Sequence, residues 1–377
     1  MLKAVCGIVF SLLLGSVVVT QAQAAPKKAS ATTKKAATKQ AKSRNKARVA
    51  AKSGKQSKSA AARGNRQEAV ARGRTVRKVV VVNGRRKVVY QRVAARNAVV
   101  TPAVASAGDL AGLSRTRDPL ELKSNVALVL DQSSGNQLLS KNADVPLPIA
   151  SITKLMTALV VLEARQNLHD VMEISNDDID REKNTTSRLR IGSRLSRADM
   201  LHIALMSSEN RAASALGRYY PGGTAACVAA MNAKAQSLGM VNTHYADTSG
   251  LSSRNVASAS DLAKLVVVAS KQPLLRQYST DTKYVVDTGG HILQYANTNQ
   301  LVKNPEWDIS LQKTGYIAEA GRCLVMQAKV HGRPVVMVFL DSKGKHSRVG
   351  DATRVRKWLA SDGHHATRRN ANAIPQS

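Results

Sequence analysis

Apolar residues in this chain follow two different periods, and the change of period predicts the fold class. Near both ends of one long segment they form short runs, at residues 126–130, 137–141, 310–316, 322–330 and 334–340. Such runs, bounded by turn residues, predict strands, whereas residues 150–275 follow mostly a helical period. An amphipathic stretch at 347–359 predicts a closing helix. Together they predict an α+β fold, in which a five-stranded antiparallel sheet built from both ends of the domain carries a helical insert.

The compact domain is predicted to cover residues 118–361, which is long enough for a full hydrophobic core. Residues 1–24 have a different pattern: Lys3 supplies positive charge, an apolar run follows, and Ala22-Gln23-Ala24 offers the small residues that a signal peptidase needs. The apolar run is shorter than the roughly 20 residues that span a bilayer. Cleavage after Ala24 is therefore favoured over a retained membrane anchor, and we predict an exported, periplasmic protein.

Charge separates residues 25–117 from the compact domain. The chain carries a formal net charge of +32, and residues 25–100 hold 23 Lys and Arg against one acid, Glu68. Residues 25 to about 71 contain no aromatic residue and few large apolar ones and are predicted to be disordered, while the whole of 25–117 is predicted to be a basic low-complexity segment. Outside the cytoplasm we expect it to contact anionic envelope polymers or a membrane surface, and no nucleic acid. A solvated spacer without a specific partner is the alternative.

One part of this basic segment, residues 76–90, is predicted to form a hairpin. Asn83-Gly84 lies between two β-branched runs, and this pair is the strongest short signal for a two-residue turn. A lone hairpin is marginal in water, and we assign it no catalytic role. Residues 94–112 are predicted to be a linker, and residues 362–377 a polar tail.

Cysteine and histidine content limits the chemistry further. Cys6 lies in the signal segment, which leaves Cys227 and Cys323 either as a disulfide or as two buried thiols. No Cys/His cluster has the spacing of metal ligands. We therefore predict no metal and no cofactor.

The first candidate for catalysis is the motif Ser151-Ile152-Thr153-Lys154. Because residues three apart on a helix share a face, Ser151 and Lys154 are neighbours if a helix runs from about 150 to 164. Ser151 then lies in the first turn, where free N–H groups favour an oxyanion. Lys154 lies one turn deeper among apolar residues, where burial lowers its pKa so that it accepts the serine proton. A helix cap with a solvent-facing lysine is the alternative, and the apolar surroundings of Lys154 argue against it.

Two further motifs offer the remaining groups of such a site. Ser208-Glu209-Asn210 follows a predicted helix at 200–206 and supplies a hydroxyl for proton relay and an amide to hold substrate or base. Lys313-Thr314-Gly315 lies in the predicted strand 310–316, where it offers charge, a hydroxyl and a close approach for an extended substrate. Each motif alone has an ordinary structural explanation, as a helix connection or a strand end. All three together, in this order, are typical of active-serine D,D-peptidases and their β-lactamase relatives.

With these motifs, and with residues 148–158, 243–251 and 260–263, the chain resembles the low-molecular-mass penicillin-binding proteins of the serine D-Ala-D-Ala carboxypeptidase/endopeptidase family. The resemblance covers about residues 120–360. It implies Ser151 as acylated nucleophile, Lys154 as general base and Ser208 as proton-relay hydroxyl. It also implies five substrate-binding residues, namely Asn210, Lys313, Thr314, Gly315 and Tyr316. The N–H groups of Ser151 and Tyr316 form the implied oxyanion hole, peptidoglycan is the implied substrate, and β-lactam antibiotics are implied covalent inhibitors.

Within the family, the resemblance favours the short D-alanyl-D-alanine endopeptidases, which cut D-Ala–diaminopimelate cross-links. The carboxypeptidase branch usually carries a further C-terminal β-domain and an anchoring helix, whereas a polar tail follows the closing helix here. Residues 313–317 and 321–324 also match the endopeptidases. Carboxypeptidase activity is the alternative, because both activities share one site. More remote are a class A β-lactamase, for which no loop motif places the deacylating Glu, and a non-catalytic wall-binding protein.

Overall fold

The computed structural model of the chain describes residues 74–82, 84–93 and 105–371. The predicted signal peptide and most of the predicted low-complexity segment lie outside the described residues, as does the end of the predicted polar tail. The described residues belong to two separate units, which divide the chain after Ala95.

The first unit is the predicted hairpin. Strand β1 (Arg74–Val82) pairs antiparallel with β2 (Arg85–Val93), and Val82 lies opposite Arg85. Gly84 has a φ of +73°, in the left-handed region that such a turn requires. The two strands extend two residues before and three beyond the limits predicted for the hairpin.

The second unit alternates short strands with helices. Its first half contains the following elements in chain order: α1 (Ala107–Leu110), β3 (Ser124–Asp131), β4 (Gln137–Lys141), β5 (Leu147–Pro148), α2 (Thr153–Glu163), β6 (Val171–Glu173), β7 (Arg194–Ser196), α3 (Arg197–Met206), α4 (Asn210–Arg218) and α5 (Gly223–Ser237). Its second half continues with β8 (Val256–Ala257), α6 (Ala259–Ala269), α7 (Pro273–Thr280), β9 (Lys283–Asp287), β10 (Ile292–Ala296), β11 (Asp308–Ile317), β12 (Gly321–Val330), β13 (Arg333–Ser342) and α8 (Ser347–Ala371).

Five of these strands form one antiparallel sheet in the order β11-β12-β13-β3-β4. Its members come from both ends of the unit, as the sequence predicts, and the α+β fold class is confirmed. The side chains of β3 alternate between two cores: Val126 and Leu128 pack with the helical insert, whereas Ala127 and Val129 pack in the smaller core that includes Val355 of α8. Among the described strands, β11 lies at one edge of this sheet, and no strand pairs with the other side of its backbone.

Helix α2 passes through the centre of the insert and is buried from Thr153 to Val161. A polar side chain in so buried a helix needs a hydrogen-bond partner. Thr157 illustrates this, since its Oγ1 donates to the carbonyl oxygen of Thr248 at 2.8 Å. Thr153 and Lys154 are the other buried polar side chains of α2, and the partners of Lys154 define the candidate site.

The second unit begins earlier than predicted, because residues 105–112 pack on the sheet instead of forming a linker. Ser106 Oγ donates to Asp341 Oδ2 at 2.7 Å, and a Cβ added to buried Gly108 would lie 2.2 Å from the same oxygen. The small residues that suggested a linker are therefore what allows this close packing. At the other end, α8 continues to Ala371, into the segment predicted as a polar tail.

Two open questions from the sequence are answered by this fold. Cys227 and Cys323 are both free and buried, so they form no disulfide. Burial raises the pKa of each thiol to about 12, which makes both unreactive near neutral pH. Over the stretches of chain described above, no helix combines the length and apolar character needed to cross a bilayer.

Candidate active site

The candidate nucleophile lies at a sharp turn just before α2. Ser151 is in a 3₁₀ turn (Ala150–Ile152), and Ala150 has a φ of +48°, which costs an L-residue about 1–2 kcal/mol. The turn is held from two sides: Ile149 N donates to the carbonyl of Asn255 at 3.0 Å, and Thr153 Oγ1 donates to the carbonyl of Ala150 at 2.8 Å. The backbone at Ala150 is therefore strained but held by hydrogen bonds, and it positions the next residue, Ser151. Such strain is typical of functional sites.

Lys154 lies one turn deeper, completely buried, with its ammonium nitrogen against the nucleophile. Its Nζ donates to Ser151 Oγ at 2.8 Å, to Asn210 Oδ1 at 2.7 Å and to the carbonyl oxygen of Ser249 at 2.5 Å. Burial lowers the pKa of Lys154 to about 7, although the negative charges of Asp247, Glu209 and Asp180 act in the opposite direction. Near neutral pH a large share of this lysine is therefore unprotonated and able to accept a proton from Ser151.

The carbonyl of Ser249 is a functional group that the sequence did not single out. A loop around Asp247 places it: Asp247 Oδ1 accepts from the N–H groups of Ser249 and Gly250 at 2.6 and 2.5 Å. Its Oδ2 accepts from Ser252 N and Asn255 Nδ2, both at 2.8 Å. The Asp247 carboxylate thus holds the loop in place, and the loop positions the carbonyl of Ser249 as an acceptor for Lys154. The match at residues 243–251 marked the segment, but a backbone carbonyl leaves no side-chain signal.

Gly250 brings this loop into contact with the nucleophile turn. Its φ is +82°, and an added Cβ would lie 2.0 Å from the carbonyl oxygen of Ala150 and 2.8 Å from Thr153 Oγ1. No side chain fits between these backbones, so glycine is required here both for conformation and for space.

Gly250→Ala is expected to destabilise the protein by roughly 2–5 kcal/mol, the sum of left-handed strain and overpacking. Thermal unfolding measures this loss. Gly135→Ala is the matched control, because Gly135 also has a positive φ (+75°) but has open space around its Cβ position. Only the strain term, about 1–2 kcal/mol, is expected there. Equal losses in the two variants would show that the contact between Gly250 and Ala150 has no energetic importance.

The second motif supplies one partner of Lys154 and one wall of the cleft. Asn210 begins α4, and besides accepting from Lys154 it donates from Nδ2 to Thr185 Oγ1 at 2.9 Å. Ser208 has a φ of +62° and lines a cleft of about 320 Å³ together with Asn210. Among the hydrogen bonds of the described residues, none joins Ser208 to Lys154. The structure therefore brings Ser208 to the cleft, and its relay role stays a prediction.

Glu209, between these two residues, has a structural role that the sequence did not reveal. It is buried, its Oε1 accepts from Ser187 Oγ at 2.6 Å, and it caps α4 by accepting from Arg211 N. Tyr295 OH lies 3.5 Å from its other oxygen. Glu209 therefore holds the segment around Ser187 against the cleft and does not face the substrate space freely.

The third motif lies on edge strand β11, directly beside the nucleophile. Lys313 is completely buried, and its Nζ donates to the carbonyl of Thr314 at 2.9 Å. Burial, together with the charges of Lys154 and Arg348, lowers the pKa of Lys313 well below its usual range. Thr314 Oγ1 is hydrogen bonded to Thr298 Oγ1 at 2.6 Å. Lys313 is therefore fully enclosed, and Thr314, next to it on β11, is slightly more exposed.

Gly315 allows β11 to approach the nucleophile turn. An added Cβ would lie 2.9 Å from the carbonyl oxygen of Ile149 and 3.0 Å from the backbone nitrogen of Ser151. The free edge of β11 and the N–H of Ser151 therefore border the same space, as an oxyanion hole made by Ser151 and Tyr316 requires. The ring of Tyr316 is exposed and stacks under the guanidinium of Arg322, 4.5 Å from the ring centroid.

Arg348, from the closing helix α8, is another residue that sequence analysis missed. Its Nη1 donates to the carbonyl of Gly315 at 2.9 Å, so it contacts the peptide unit whose N–H belongs to Tyr316. Burial lowers the pKa of this guanidinium, but not enough to neutralise it near pH 7. The guanidinium of Arg348, which contacts the peptide unit between Gly315 and Tyr316, makes the space beside Ser151 favourable for an anion. The arrangement can therefore attack a carbonyl and stabilise the oxyanion and a nearby carboxylate.

The comparisons with known proteins agree with this chemistry. The model of a family described as D-alanyl-D-alanine carboxypeptidase matches residues 113–344. A D-alanyl-D-alanine endopeptidase of Pseudomonas aeruginosa is 48% identical over 263 residues, which cover 69% of this chain and 84% of that protein. A protein of the same name from Escherichia coli is 43% identical over 241 residues, covering 63% of this chain and 78% of that protein.

Solved structures show the same fold. The crystal structure of the Streptomyces K15 DD-transpeptidase superposes with a TM-score of 0.59 at 27% identity, over 64% of this chain and 98% of that one. Penicillin-binding protein D2 of Listeria monocytogenes, solved with bound cefotaxime, superposes with a TM-score of 0.57 at 28% identity, over 64% and 98% of the two chains.

Proposed function

Because this chain belongs to the D-alanyl-D-alanine carboxypeptidase family and is a serine D,D-peptidase, we propose that it cleaves the D-Ala–diaminopimelate cross-links of peptidoglycan and is acylated by β-lactams at Ser151. The observation that carries this proposal is the pair of Ser151 Oγ and buried Lys154 Nζ, 2.8 Å apart. A serine with an unprotonated lysine at hydrogen-bond distance is an activated nucleophile.

Acylation follows from the positions of these groups. Ser151 Oγ attacks the carbonyl carbon of the D-Ala residue, and its proton passes to the neutral amine of Lys154. The carbonyl oxygen becomes an oxyanion, held by the N–H groups of Ser151 and Tyr316. The C–N bond then breaks, the electron pair stays on the leaving nitrogen, and a proton reaches that nitrogen from Lys154 through the hydroxyl of Ser208. The product is an ester between D-Ala and Ser151.

Deacylation uses the same groups in reverse. Water attacks the ester carbonyl and gives its proton to Lys154, and the C–O bond breaks as Ser151 Oγ is reprotonated. Of the carboxylates that act electrostatically on Lys154, Asp247 and Glu209 are engaged as described above, and Asp180 accepts from three N–H groups of its own loop. No free carboxylate beside Ser151 is therefore evident in the described part of the site. This supports a long-lived β-lactam adduct rather than β-lactamase turnover.

The names of the two bacterial relatives support cleavage of cross-links over removal of terminal D-alanine. The bound forms of the Listeria protein, with cefotaxime and with ampicillin, support acylation by β-lactams. The proposal includes export to the periplasm, supported by the signal-like pattern at residues 1–24 and by the location of the substrate. It also includes contact of the basic segment with anionic envelope polymers, supported by the charge of that segment.

Purified protein is expected to convert cross-linked muropeptide dimers into monomers, each cleavage adding one water. Mass spectrometry of the digest measures this conversion. The control is the same enzyme treated first with benzylpenicillin, which should leave the dimers intact and gain the mass of one penicilloyl group. Loss of terminal D-alanine from monomeric pentapeptides, with dimers intact, would exclude the endopeptidase and support the carboxypeptidase alternative.

A further inference from the structure

A second cavity adjoins the cleft beside Ser208. Its volume is about 430 Å³, and Ser187 and Arg188 line both it and the cleft. Its other lining groups include Arg190, Ser193, Thr288 and His291. The two cavities are therefore adjacent, and we call them together the groove past Ser208; the cleft borders the catalytic pair through Asn210, the partner of Lys154.

The lining of this cavity suits an anion. Two arginines border it, and none of its lining residues is acidic. Arg188 is already oriented, because its Nη1 donates to the carbonyl of Gln294 at 2.6 Å and its guanidinium lies 4.0 Å from the centroid of the Tyr295 ring. The Arg190 side chain is exposed and forms no ion pair with any described residue, while its backbone N donates to the buried Ser193 Oγ at 3.0 Å. Arg190 is therefore held at its backbone and available at its guanidinium, which binds carboxylates well.

The position of the cavity relates it to the leaving group. In the reaction proposed above, Ser208 returns a proton to the leaving nitrogen, so the leaving group lies on the Ser208 side of the cleft. A single D-alanine needs little space there. The second stem peptide of a cross-link extends much further and carries a free carboxylate on its diaminopimelate residue.

We infer that the groove past Ser208 is the subsite for the leaving stem peptide of a cross-link, and that Arg190, with Arg188, binds a carboxylate of that peptide. The inference rests on the proposed endopeptidase function and deepens it. On this inference, a cationic pocket outside the three motifs makes the enzyme prefer a cross-linked substrate to a terminal D-alanine.

The test compares kcat/KM for two purified muropeptide dimers, one with the free side-chain carboxylate on the leaving stem and one with that carboxylate amidated. Arg190→Gln is expected to lower kcat/KM for the free dimer about tenfold, the effect of one lost charge-assisted hydrogen bond. On the amidated dimer, wild type and variant should be equal. The rate of acylation by benzylpenicillin should not change, because that reaction releases no stem peptide.

Arg117→Gln is the matched control, since Arg117 is exposed and lines neither cavity. It removes the same charge, so it separates local binding from the general field of a cationic protein. Equal activity of wild type and Arg190→Gln on the free dimer would overturn the inference. So would equal losses on both dimers, or slower penicillin acylation. If the wild type reacts with benzylpenicillin but cleaves neither dimer, the proposed endopeptidase function is wrong. The inferred subsite is then wrong as well.

Discussion

Ser151→Ala is expected to abolish both dimer cleavage and the covalent penicillin adduct, with a rate loss of at least about 10⁴-fold. In the proposed mechanism, Oγ of Ser151 is the atom that forms the ester, and the other groups of the site move its proton or hold its oxyanion. Intact-mass spectrometry after incubation with benzylpenicillin measures the adduct directly. Ser133→Ala is the control, because Ser133 is an exposed hydroxyl in the turn between β3 and β4.

The same variant separates catalysis from folding. The hydroxyl of Ser151 receives one hydrogen bond, from Lys154, so its loss should change the free energy of unfolding by only about 1 kcal/mol. Ser151→Ala should therefore unfold near the wild-type temperature while being inactive. A penicilloyl adduct on this variant would show that another residue is the nucleophile.

Lys154→Met is expected to slow acylation by about 10²–10⁴-fold, the usual contribution of a general base. Methionine fills a similar volume in the buried helix, so the backbone of α2 should be preserved. Asn210 Oδ1 and the carbonyl of Ser249 each lose a donor, which destabilises the protein. Removal of a desolvated ammonium group works in the other direction. Stopped-flow acylation with benzylpenicillin measures the rate, and circular dichroism checks the fold.

The lowered pKa of Lys154 sets the direction of the pH profile. Below a pKa of about 7, the fraction of neutral lysine rises tenfold for each pH unit, and above it the fraction levels off. The acylation rate of the wild type should follow the same curve, whereas Lys154→Met should show no such step. A rate that keeps rising to pH 9 would mean that Lys154 titrates near its ordinary value of about 10.4.

Features with a local signal were predictable from the sequence. The five strands of the sheet were found from their apolar runs, and the turn of the hairpin from its Asn-Gly pair. Helix geometry predicted that Ser151 and Lys154 are neighbours, since three residues make almost one turn, although Ser151 lies in a 3₁₀ turn just before α2. The structure confirms that Lys154 is buried, as its apolar flanks indicated.

Features that depend on long-range contacts were not predictable in this way. The carbonyl of Ser249 serves Lys154 although the two residues are 95 positions apart, and a carbonyl has no residue type by which to recognise it. Arg348 lies on an amphipathic helix whose pattern predicts a packing face but not its contact with Gly315. The early start of the domain was missed for a related reason, because Gly108 and its small neighbours suggest a linker unless their partner Asp341 is known.

Because Lys154 is buried among three hydrogen-bond partners, Ser151 is activated only in the folded protein. Asn210 and Ser249 come from segments 56 and 95 residues further along the chain. In an unfolded chain the lysine is hydrated, remains protonated at neutral pH, and leaves Ser151 an ordinary alcohol. Lys154 therefore becomes a base near neutral pH only after these distant segments have packed around its amine. An unfolded chain therefore lacks the activated serine that attacks an amide carbonyl.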